Sequence, residues 1–393
     1  MKLISYYDKY SAENGSAQYL TLDLDSGVEV ESPAEPPLPD IDGTPAYKFG
    51  ASSDGKYTYI AAFKYTLRDD MERKIRRRLF RKDNETGELE EMFTKWDRSG
   101  LQMNNYTFIK ENIFFTVASF DYNTNVVYTA DISESIDGSN VKEMWRTNGY
   151  PYSWHMNPDK TMLAFHLAGG NDEYNPHNYY AINTMDLDGN RKYICSEQDH
   201  LFFGPKWSPD GKMIMFQDCV PKDNDPGHHF SDIVVCNADG SDLRRVTEGR
   251  VQYFGTSFGL EGHRMGGSSC PIWTPDSKII CNLMMPGSHP DCHFDETQRN
   301  HEELIYDPSM GKGGCCLVLL DPVTGEKKHL TEMREGCWDF RPHSLSADGK
   351  ELLYTHSEFG KAGEIRLLNL ETGDIKVITN GTNELGADHA KFI

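Results

Sequence analysis

"WSPDGKMIMFQD", residues 207–218, joins a turn to a mostly apolar run, and the recurrence of this pattern establishes the fold class. Asp210 and Gly211 form an Asp-Gly pair, which favours a tight turn between strands because glycine accepts a positive φ angle. The run that follows has the length and composition of a buried strand. The same kind of turn recurs at Asp54, Asp159, Asp276 and Asp348, and in weaker form near Glu111.

A second series of turns alternates with the first. Each of these turns has an acidic or polar residue shortly before a glycine and β-rich residues on both sides. The turn glycines are Gly27, Gly87, Gly138, Gly189, Gly240, Gly325 and Gly373, at successive spacings of 60, 51, 51, 51, 85 and 48 residues. Two turns in each repeat imply four strands per unit.

Four short strands repeated at this spacing are typical of β-propeller blades. The sequence therefore predicts an all-β fold, a single seven-bladed β-propeller domain over residues 1–393. The C-terminal stretch ADHAKFI, residues 387–393, and the N-terminal stretch MKLISYYDKY, residues 1–10, together resemble one strand pair of the repeat. We expect the C-terminal strand to join the N-terminal blade and close the ring, which removes exposed strand edges.

The composition limits the classes of function. The chain has 38% hydrophobic and 26% charged residues and no apolar run long enough to cross a bilayer. A net charge of −21 opposes nucleic-acid binding, which depends on neutralising phosphates. The N-terminal residues lack the apolar segment of a secretory signal, so we expect a cytoplasmic protein without nucleic-acid or membrane partners. The 9 cysteines form no CxxC framework and are interpreted as reduced, mostly structural thiols.

Two insertions interrupt the repeat within the 85-residue spacing, at about residues 248–269 and 286–314. Loops of this length are usually functional, and the second is a candidate lid. The first contains GTSFG, residues 255–259, which matches the G-x-S-x-G nucleophile motif but lacks the strand-turn-helix context which that motif needs. The second contains HPDCH, residues 289–293, whose histidines are interpreted as surface residues rather than zinc ligands.

Three histidines lie at or near the start of predicted innermost strands, namely His155, His343 and His389. His263 and Arg264 lie in the first insertion. Residues so placed would meet at one mouth of a propeller channel, although they are far apart in sequence. Neutral imidazoles around one cavity bind divalent metals, which favours a metal site there. The alternative for each histidine is a polar residue at a strand end.

The turns WSPDGK, residues 207–212, and WTPDSK, residues 273–278, resemble those of TolB-type propellers. Longer segments resemble the oligogalacturonate lyases in the same order along the chain. They are FFGPKWSPDGKMIMFQD (202–218), HHFSDIVVCNADGSDLRRV (228–246), SSCPIWTPDSKIICNLM (268–284) and LDPVTGEKKHL (320–330). The resemblance implies a cytoplasmic seven-bladed propeller that cleaves pectin-derived oligouronates by β-elimination with a divalent metal, often manganese.

The resemblance also implies metal ligands. In that family, a histidine on one inner strand and a Q-x-x-H-x-H motif on the next blade hold the metal. His343 matches the first histidine, and ELGADH, residues 384–389, matches the motif with Glu384 and His389 as ligands. Ala387 replaces the middle histidine, and Asp232 stands where the family has its arginine base. The implied cofactor is Mn²⁺ on His343, Glu384 and His389, with Ca²⁺ or Zn²⁺ as alternatives.

β-Elimination removes the proton beside a uronate carboxylate, and a metal or an arginine stabilises the enolate that develops. We predict that the base is His263, Arg264 or His155, and prefer His263 because its loop is an insertion. Arg341 would bind the substrate carboxylate, since the planar guanidinium matches it. Aromatic residues near strand starts would stack on sugar rings, namely Tyr47, Tyr152 and Trp338.

The predicted function is a metal-assisted lyase that acts on an acidic, uronate-containing oligosaccharide. Two alternatives remain, a noncatalytic TolB-like propeller that binds a protein or peptide, and a propeller glycoside hydrolase, which would need paired carboxylates at the channel. A lyase requires His343 and His389 to hold metal, whereas a scaffold tolerates their loss. His356 lies within the predicted strand that follows the turn at Asp348, and it is interpreted as an ordinary strand residue.

Overall fold

The computed structural model describes residues 3–8, 18–30, 46–66, 74–97, 102–119, 124–219, 230–252, 256–258, 265–267, 269, 271–289, 292–294, 304–306, 309–359, 361, 363–379 and 387–393. Within these ranges every regular element is a β-strand, so the all-β prediction is confirmed. The same ranges contain no helix that could cross a membrane.

The first strands along the chain are β1 (Leu3–Asp8), β2 (Gln18–Asp23), β3 (Val28–Val30), β4 (Ala46–Ala51), β5 (Tyr57–Thr66), β6 (Lys74–Asp83), β7 (Leu89–Met92), β8 (Gln102–Lys110), β9 (Ile113–Ser119), β10 (Asn125–Asp131), β11 (Lys142–Thr147), β12 (Tyr150–Met156), β13 (Met162–Ala168), β14 (Tyr180–Asp186), β15 (Arg191–Cys195) and β16 (Leu201–Trp207). They are followed by β17 (Met213–Cys219), β18 (Phe230–Asn237), β19 (Arg244–Arg245), β20 (Val251–Gln252), β21 (Thr256–Phe258), β22 (Met265–Gly267), β23 (Ile272–Trp273), β24 (Ile279–Met284), β25 (Cys292–Phe294), β26 (Leu304–Tyr306), β27 (Cys315–Leu320), β28 (Lys327–His329), β29 (Cys337–Leu345), β30 (Glu351–Glu358), β31 (Glu364–Asn369), β32 (Ile375–Thr379) and β33 (Ala387–Phe392).

The chain divides into two compact units. The first comprises Met1–Pro33, Ser153–Ala164 and Ile194–Ile393, and the second comprises Ala34–Tyr152 and Phe165–Tyr193. A single propeller domain over residues 1–393 stays a prediction.

The two ends of the chain share one sheet of the first unit, in the order β3-β2-β1-β33. Ile4 on β1 lies opposite Phe392 on β33. The prediction that the C-terminal strand joins the N-terminal strands is therefore confirmed. The closed ring of seven blades stays a prediction.

The other sheets follow the four-strand repeat. Their orders are β4-β5-β6-β7, β11-β10-β9-β8, β12-β13-β14-β15, β16-β17-β18-β19 with β20 beside β18, and β23-β24-β27-β29-β30-β31-β32 with β28 beside β27, together with the pairs β21-β22 and β25-β26. In the longest sheet, one parallel pair, Cys315 with Trp338, joins β27 to β29. That sheet therefore contains two of the predicted four-strand units.

The turn chemistry explains why these strands alternate with tight turns. All of the predicted turn glycines have positive φ angles, between 69° and 89°. In the other series, a hydroxyl donates to the aspartate two residues later at 2.6 Å in the pairs Ser52 with Asp54, Ser208 with Asp210, Thr274 with Asp276, and Ser346 with Asp348. These local bonds hold each turn without help from the rest of the fold.

Each unit has its own apolar core. In the second unit, buried residues include Tyr59, Phe93 and Phe114. In the first unit, one cluster includes Met215 and Ile279. Each such side chain contributes about 1.5–3 kcal/mol to the free energy of folding.

The cysteines whose side chains are described are free, namely Cys195, Cys219, Cys236, Cys281, Cys315, Cys316 and Cys337, and all but Cys337 are buried. Burial raises the pKa of the Cys281 and Cys316 thiols to about 12. Both thiols are therefore protonated at neutral pH, as expected for structural cysteines.

Candidate functional site

His343 lies at an irregularity in the pairing of β29 with β30. Pro342 lies opposite Tyr354 and Ser344 lies opposite Leu353, so His343 is inserted between two consecutive pairs as the extra residue of a β-bulge. A bulge bends its strand and re-aims the side chain at that point. The side chain of His343 therefore does not follow the regular alternation of β29.

His389 lies at a second bulge, in the pairing of β33 with β1. Asp388 lies opposite Tyr7 and Lys391 opposite Ser5, so two residues of β33 span one position of β1. His389 has a φ angle of 54°, in the left-handed region that L-residues seldom adopt. Such strained positions cluster at ligand sites. The side chain of His389 is exposed at this bulge.

The two bulges bring the imidazoles of His343 and His389 together. Their ring centroids are 5.9 Å apart, and the ring planes are inclined by 32°. The Nε2 atom of His343 is 2.6 Å from the Oγ1 atom of Thr355, a fully buried residue. When this Nε2 carries the hydrogen and donates it to Thr355, the Nδ1 lone pair of His343 becomes the metal-binding atom. The two histidines are thus a candidate metal centre, and metal binding by them stays a prediction.

Several other predicted site residues lie outside the described residues, namely Glu384, His263 and Arg264. Ala387, at the middle position of the predicted motif, is 0% exposed and has no ligand atom. Within the described part of the chain, the candidate centre therefore has two protein ligands. Further ligands would come from residues outside the described part, such as Glu384, or from substrate or water.

Two predicted substrate-binding residues are buried. Arg341 is 5% exposed and Trp338 is 4% exposed. Trp338 belongs to a cluster with Met284 and Phe340, and its ring centroid lies 5.4 Å from that of Phe359. The structure thus corrects the prediction for Trp338, because core side chains cover the indole and a sugar ring has no access to it. Arg341 likewise exposes too little surface to act as an open carboxylate clamp.

His155 makes a structural hydrogen bond. Its Nδ1 atom accepts from the backbone N–H of Trp207 at 3.1 Å, which ties β12 to β16 within the first unit. To act as a base through Nδ1, His155 would have to give up this bond. Asp232, which replaces the family's arginine, accepts from the hydroxyl of Thr247 at 2.8 Å and from the N–H of Gly249. The Asp232 carboxylate therefore stabilises the segment that contains Thr247 and Gly249.

The two predicted tyrosines lie in the second unit. Tyr47 lies on β4, opposite Ala61. The ring centroid of Tyr152 is 3.4 Å from that of His166, in an edge-to-face arrangement. Tyr152 thus packs against a buried imidazole, and sugar stacking by either tyrosine stays a prediction.

His166 is expected to make the stability of the protein depend on pH. The residue is 0% exposed, and burial holds the pKa of its imidazole well below the ordinary value of 6.5. Because the folded-state pKa is lower than the unfolded-state pKa, the unfolded chain binds more protons below pH 6.5. The contribution of neutral, buried His166 to the free energy of unfolding is therefore complete above pH 6.5. Below pH 6.5 the free energy of unfolding falls by up to about 1.4 kcal/mol per pH unit.

Urea unfolding at several pH values measures this effect. His166→Phe should lower the slope of the unfolding free energy against pH, between roughly pH 6.5 and pH 5, by the contribution of one bound proton, up to about 1.4 kcal/mol per pH unit. His177 is exposed, so His177→Phe should leave the slope unchanged and serves as the control. Equal slopes in wild type and His166→Phe would contradict the prediction.

A further group of metal-ligating side chains was not predicted from the sequence. Cys337, His356 and Glu358 each offer a ligand atom, and among the residues described these atoms lie within 4.8 Å of one another. His356 is 1% exposed, and its Nδ1 atom lies 2.5 Å from Oδ1 of Asp339. The interpretation of His356 as an ordinary strand residue missed these neighbours, because Cys337 and Asp339 belong to another strand. The weak signal in the sequence is the pair of i, i+2 patterns, C-x-D and H-x-E.

The motifs in the insertions lie partly in short strands. Ser257 of GTSFG is on β21, which pairs with β22, so this serine is not in a strand-to-helix turn. His289 of HPDCH forms an isolated backbone bridge with Lys312. Cys292 and His293 are on β25. A lid role for residues 286–314 stays a prediction.

No protein-family model and no curated protein matches the sequence. Among solved structures, the chain is similar to an oligogalacturonate lyase in complex with manganese, with 15% identity, a TM-score of 0.50 and coverage of 95% of this chain and 83% of that one. A TolB structure from Agrobacterium tumefaciens has 14% identity, a TM-score of 0.39 and coverage of 85% and 89%.

The chain is also similar to a puromycin-hydrolyzing peptidase from Mycobacterium tuberculosis, with 12% identity and a TM-score of 0.54. That match covers 97% of this chain and 54% of the peptidase, so the chain spans about half of that protein's length. At such identities the similarities show a shared β-propeller fold. The distant resemblance to oligogalacturonate lyase, predicted from the sequence, is confirmed at that level.

Proposed function

We propose that this protein is a metal-assisted lyase that cleaves an acidic oligosaccharide beside a uronate residue by β-elimination. The observation that carries the proposal is the pair of β-bulges that brings His343 and His389 together with their ring centroids 5.9 Å apart. The oligogalacturonate lyase of similar fold was solved with manganese, which supports Mn²⁺ as the first metal to test.

The donor set fits a divalent cation. One ligand, His343, is held in place by the buried hydroxyl of Thr355, and the other, His389, is exposed and therefore accessible. A hydrogen-bonded histidine is the usual form of a metal ligand, because the second nitrogen is then oriented. In the proposal Glu384 supplies a third ligand. The chemistry that a bound cation supplies is neutralisation of the negative charge on the uronate carboxylate.

The elimination needs a base and a substrate site on this chain. The base takes the proton from the carbon beside the carboxylate, the electron pair forms the new double bond, and the glycosidic oxygen at the β carbon leaves with a proton. The products are an unsaturated uronate and a new reducing end. We assign the base to His263, because Nδ1 of His155 already accepts from Trp207.

Metal analysis and a spectrophotometric assay test the proposal. Protein purified after manganese supplementation should retain the metal, and incubation with pectic, ulvan-type and glucuronate-capped oligosaccharides should produce the ultraviolet absorbance of an unsaturated uronate with at least one of them. A mass-spectrometric search for the same products rules out an optical artefact. Absence of both bound manganese and new absorbance would reject the lyase and favour the noncatalytic binding protein.

A further inference from the structure

The pairing of β29 with β30 places four functional side chains on one face. Cys337 lies opposite Glu358, and Asp339 lies opposite His356. Side chains at i and i+2 of a strand point to the same face, so the four belong together. Strands that only build a core would carry apolar residues at these positions.

The imidazole of His356 is only half satisfied. Its Nδ1 atom is 2.5 Å from the Asp339 carboxylate, whereas its Nε2 atom has no hydrogen-bond partner among the described residues. The residue is 1% exposed, so bulk water does not reach this nitrogen freely. A buried polar atom without a partner costs about 1–3 kcal/mol. The position of Nε2 therefore points to a ligand that the described residues do not supply.

The neighbours of this nitrogen define the kind of ligand. Oε1 of Glu358 lies 3.9 Å from Nε2 of His356, and the Cys337 sulfur completes a group whose ligand atoms lie within 4.8 Å of one another. The other oxygen of Glu358 forms an ion pair with Lys361, which leaves Oε1 directed towards His356. A sulfur, an imidazole nitrogen and a carboxylate oxygen are together typical zinc ligands.

We propose that Cys337, His356 and Glu358 bind one Zn²⁺ ion, with Asp339 as the positioning residue for His356. Thiolate selects zinc over manganese, calcium and magnesium, which prefer oxygen ligands. Asp339 holds the hydrogen on Nδ1 and so presents the Nε2 lone pair, the arrangement found in carboxylate–histidine–zinc triads. With three protein ligands, the fourth position of a tetrahedral ion is open to water or a small ligand.

The distance between His356 and Glu358 requires only a small contraction. Bonds of about 2.0–2.3 Å to zinc place two ligand atoms of a tetrahedral site about 3.3–3.6 Å apart. The distance from His356 Nε2 to Glu358 Oε1, 3.9 Å, is within half an ångström of that range. Rotation of the Cys337 and Glu358 side chains suffices for this, since neither is fully buried. This site does not depend on the proposed lyase activity or on His343 and His389.

Cobalt substitution of the full chain tests the proposal with a spectroscopic signal. Titration of metal-free protein with Co²⁺ should produce the near-ultraviolet charge-transfer band of a cobalt–thiolate bond, and Zn²⁺ should displace it with one equivalent. Cys337→Ser should abolish the band, and His356→Gln and Glu358→Gln should weaken Co²⁺ binding. Asp339→Asn should keep the band but lower the zinc affinity by about 10–100-fold in a chelator competition.

Two controls separate this site from others. The Sγ atom of Cys316 is 3.3 Å from Nδ1 of His329, so Cys316 is a second cysteine in contact with a histidine. Cys316→Ser should retain the cobalt–thiolate band. The double variant His343→Ala/His389→Ala should retain it as well, whatever the lyase assay shows. Circular dichroism confirms that each variant is folded. No thiolate band in folded wild-type protein, or a band that survives Cys337→Ser, would overturn the proposal.

Discussion

Alanine at both His343 and His389 is expected to abolish manganese binding and the metal-dependent cleavage of an acidic oligosaccharide, while the chain stays folded. A metal stabilises the charge of the transition state by several kcal/mol, so the rate should fall by about 100-fold or more. The measurements are kcat/KM from the absorbance of the unsaturated product and the manganese content of the purified variant.

The double variant should remain folded because the two histidines contribute little to stability. His389 is exposed, and loss of the hydrogen bond between His343 and Thr355 should cost about 1–2 kcal/mol. His329→Ala is the matched control, since this histidine contacts the Cys316 sulfur rather than another imidazole. If the folded double variant keeps the wild-type kcat/KM, His343 and His389 do not bind a metal that the reaction needs.

Gly314→Ala is expected to cause a large loss of stability. A Cβ atom at this position would lie 2.2 Å from the carbonyl oxygen of Arg334 and 2.4 Å from that of Cys337. Both contacts are with backbone, and Gly314 itself is held by hydrogen bonds with Ser288 and Met285. Overpacking ordinarily costs about 1–3 kcal/mol, and we expect this variant to exceed that range.

Urea unfolding of Gly314→Ala beside a glycine that has space around it tests the effect. Gly287 has a φ angle of +76°, and a Cβ atom added to it would have no neighbour within 4 Å among the described residues. Gly287→Ala should therefore cost mainly the backbone strain, about 1–2 kcal/mol. Equal unfolding midpoints for the two variants would show that the backbone at Arg334 and Cys337 can move to accommodate a methyl group at little cost in free energy. In that case the close approach would not constrain Cys337.

The local turn chemistry was sufficient to predict the strand pattern. Each Ser or Thr hydroxyl bonds an aspartate two residues away, as Ser208 does with Asp210, and each turn glycine adopts a positive φ angle. Both features depend on residues within one turn. For that reason the all-β class and the four-strand repeat could be predicted from the sequence.

The predicted site residues were chosen by their position near strand starts, and this position does not determine what each side chain contacts. His155 has the expected place in a strand, but its Nδ1 bonds the backbone of Trp207. Trp338 is near a strand start, yet core residues cover it. Position along a strand indicates which end a residue lies at. It does not indicate which face the side chain occupies once bulges shift the register.

The all-β repeat and the union of the chain ends in one sheet could be inferred from the amino-acid sequence, because turn residues and apolar runs act over a few positions. Which polar side chains meet is a property of the folded chain. His343 and His389 come together through bulges in two separate strand pairs. His356 joins Asp339, Cys337 and Glu358 through the register of β29 with β30. Register and bulges depend on contacts between strands rather than on residues within one turn, so the sequence carries only weak patterns for them, such as C-x-D and H-x-E.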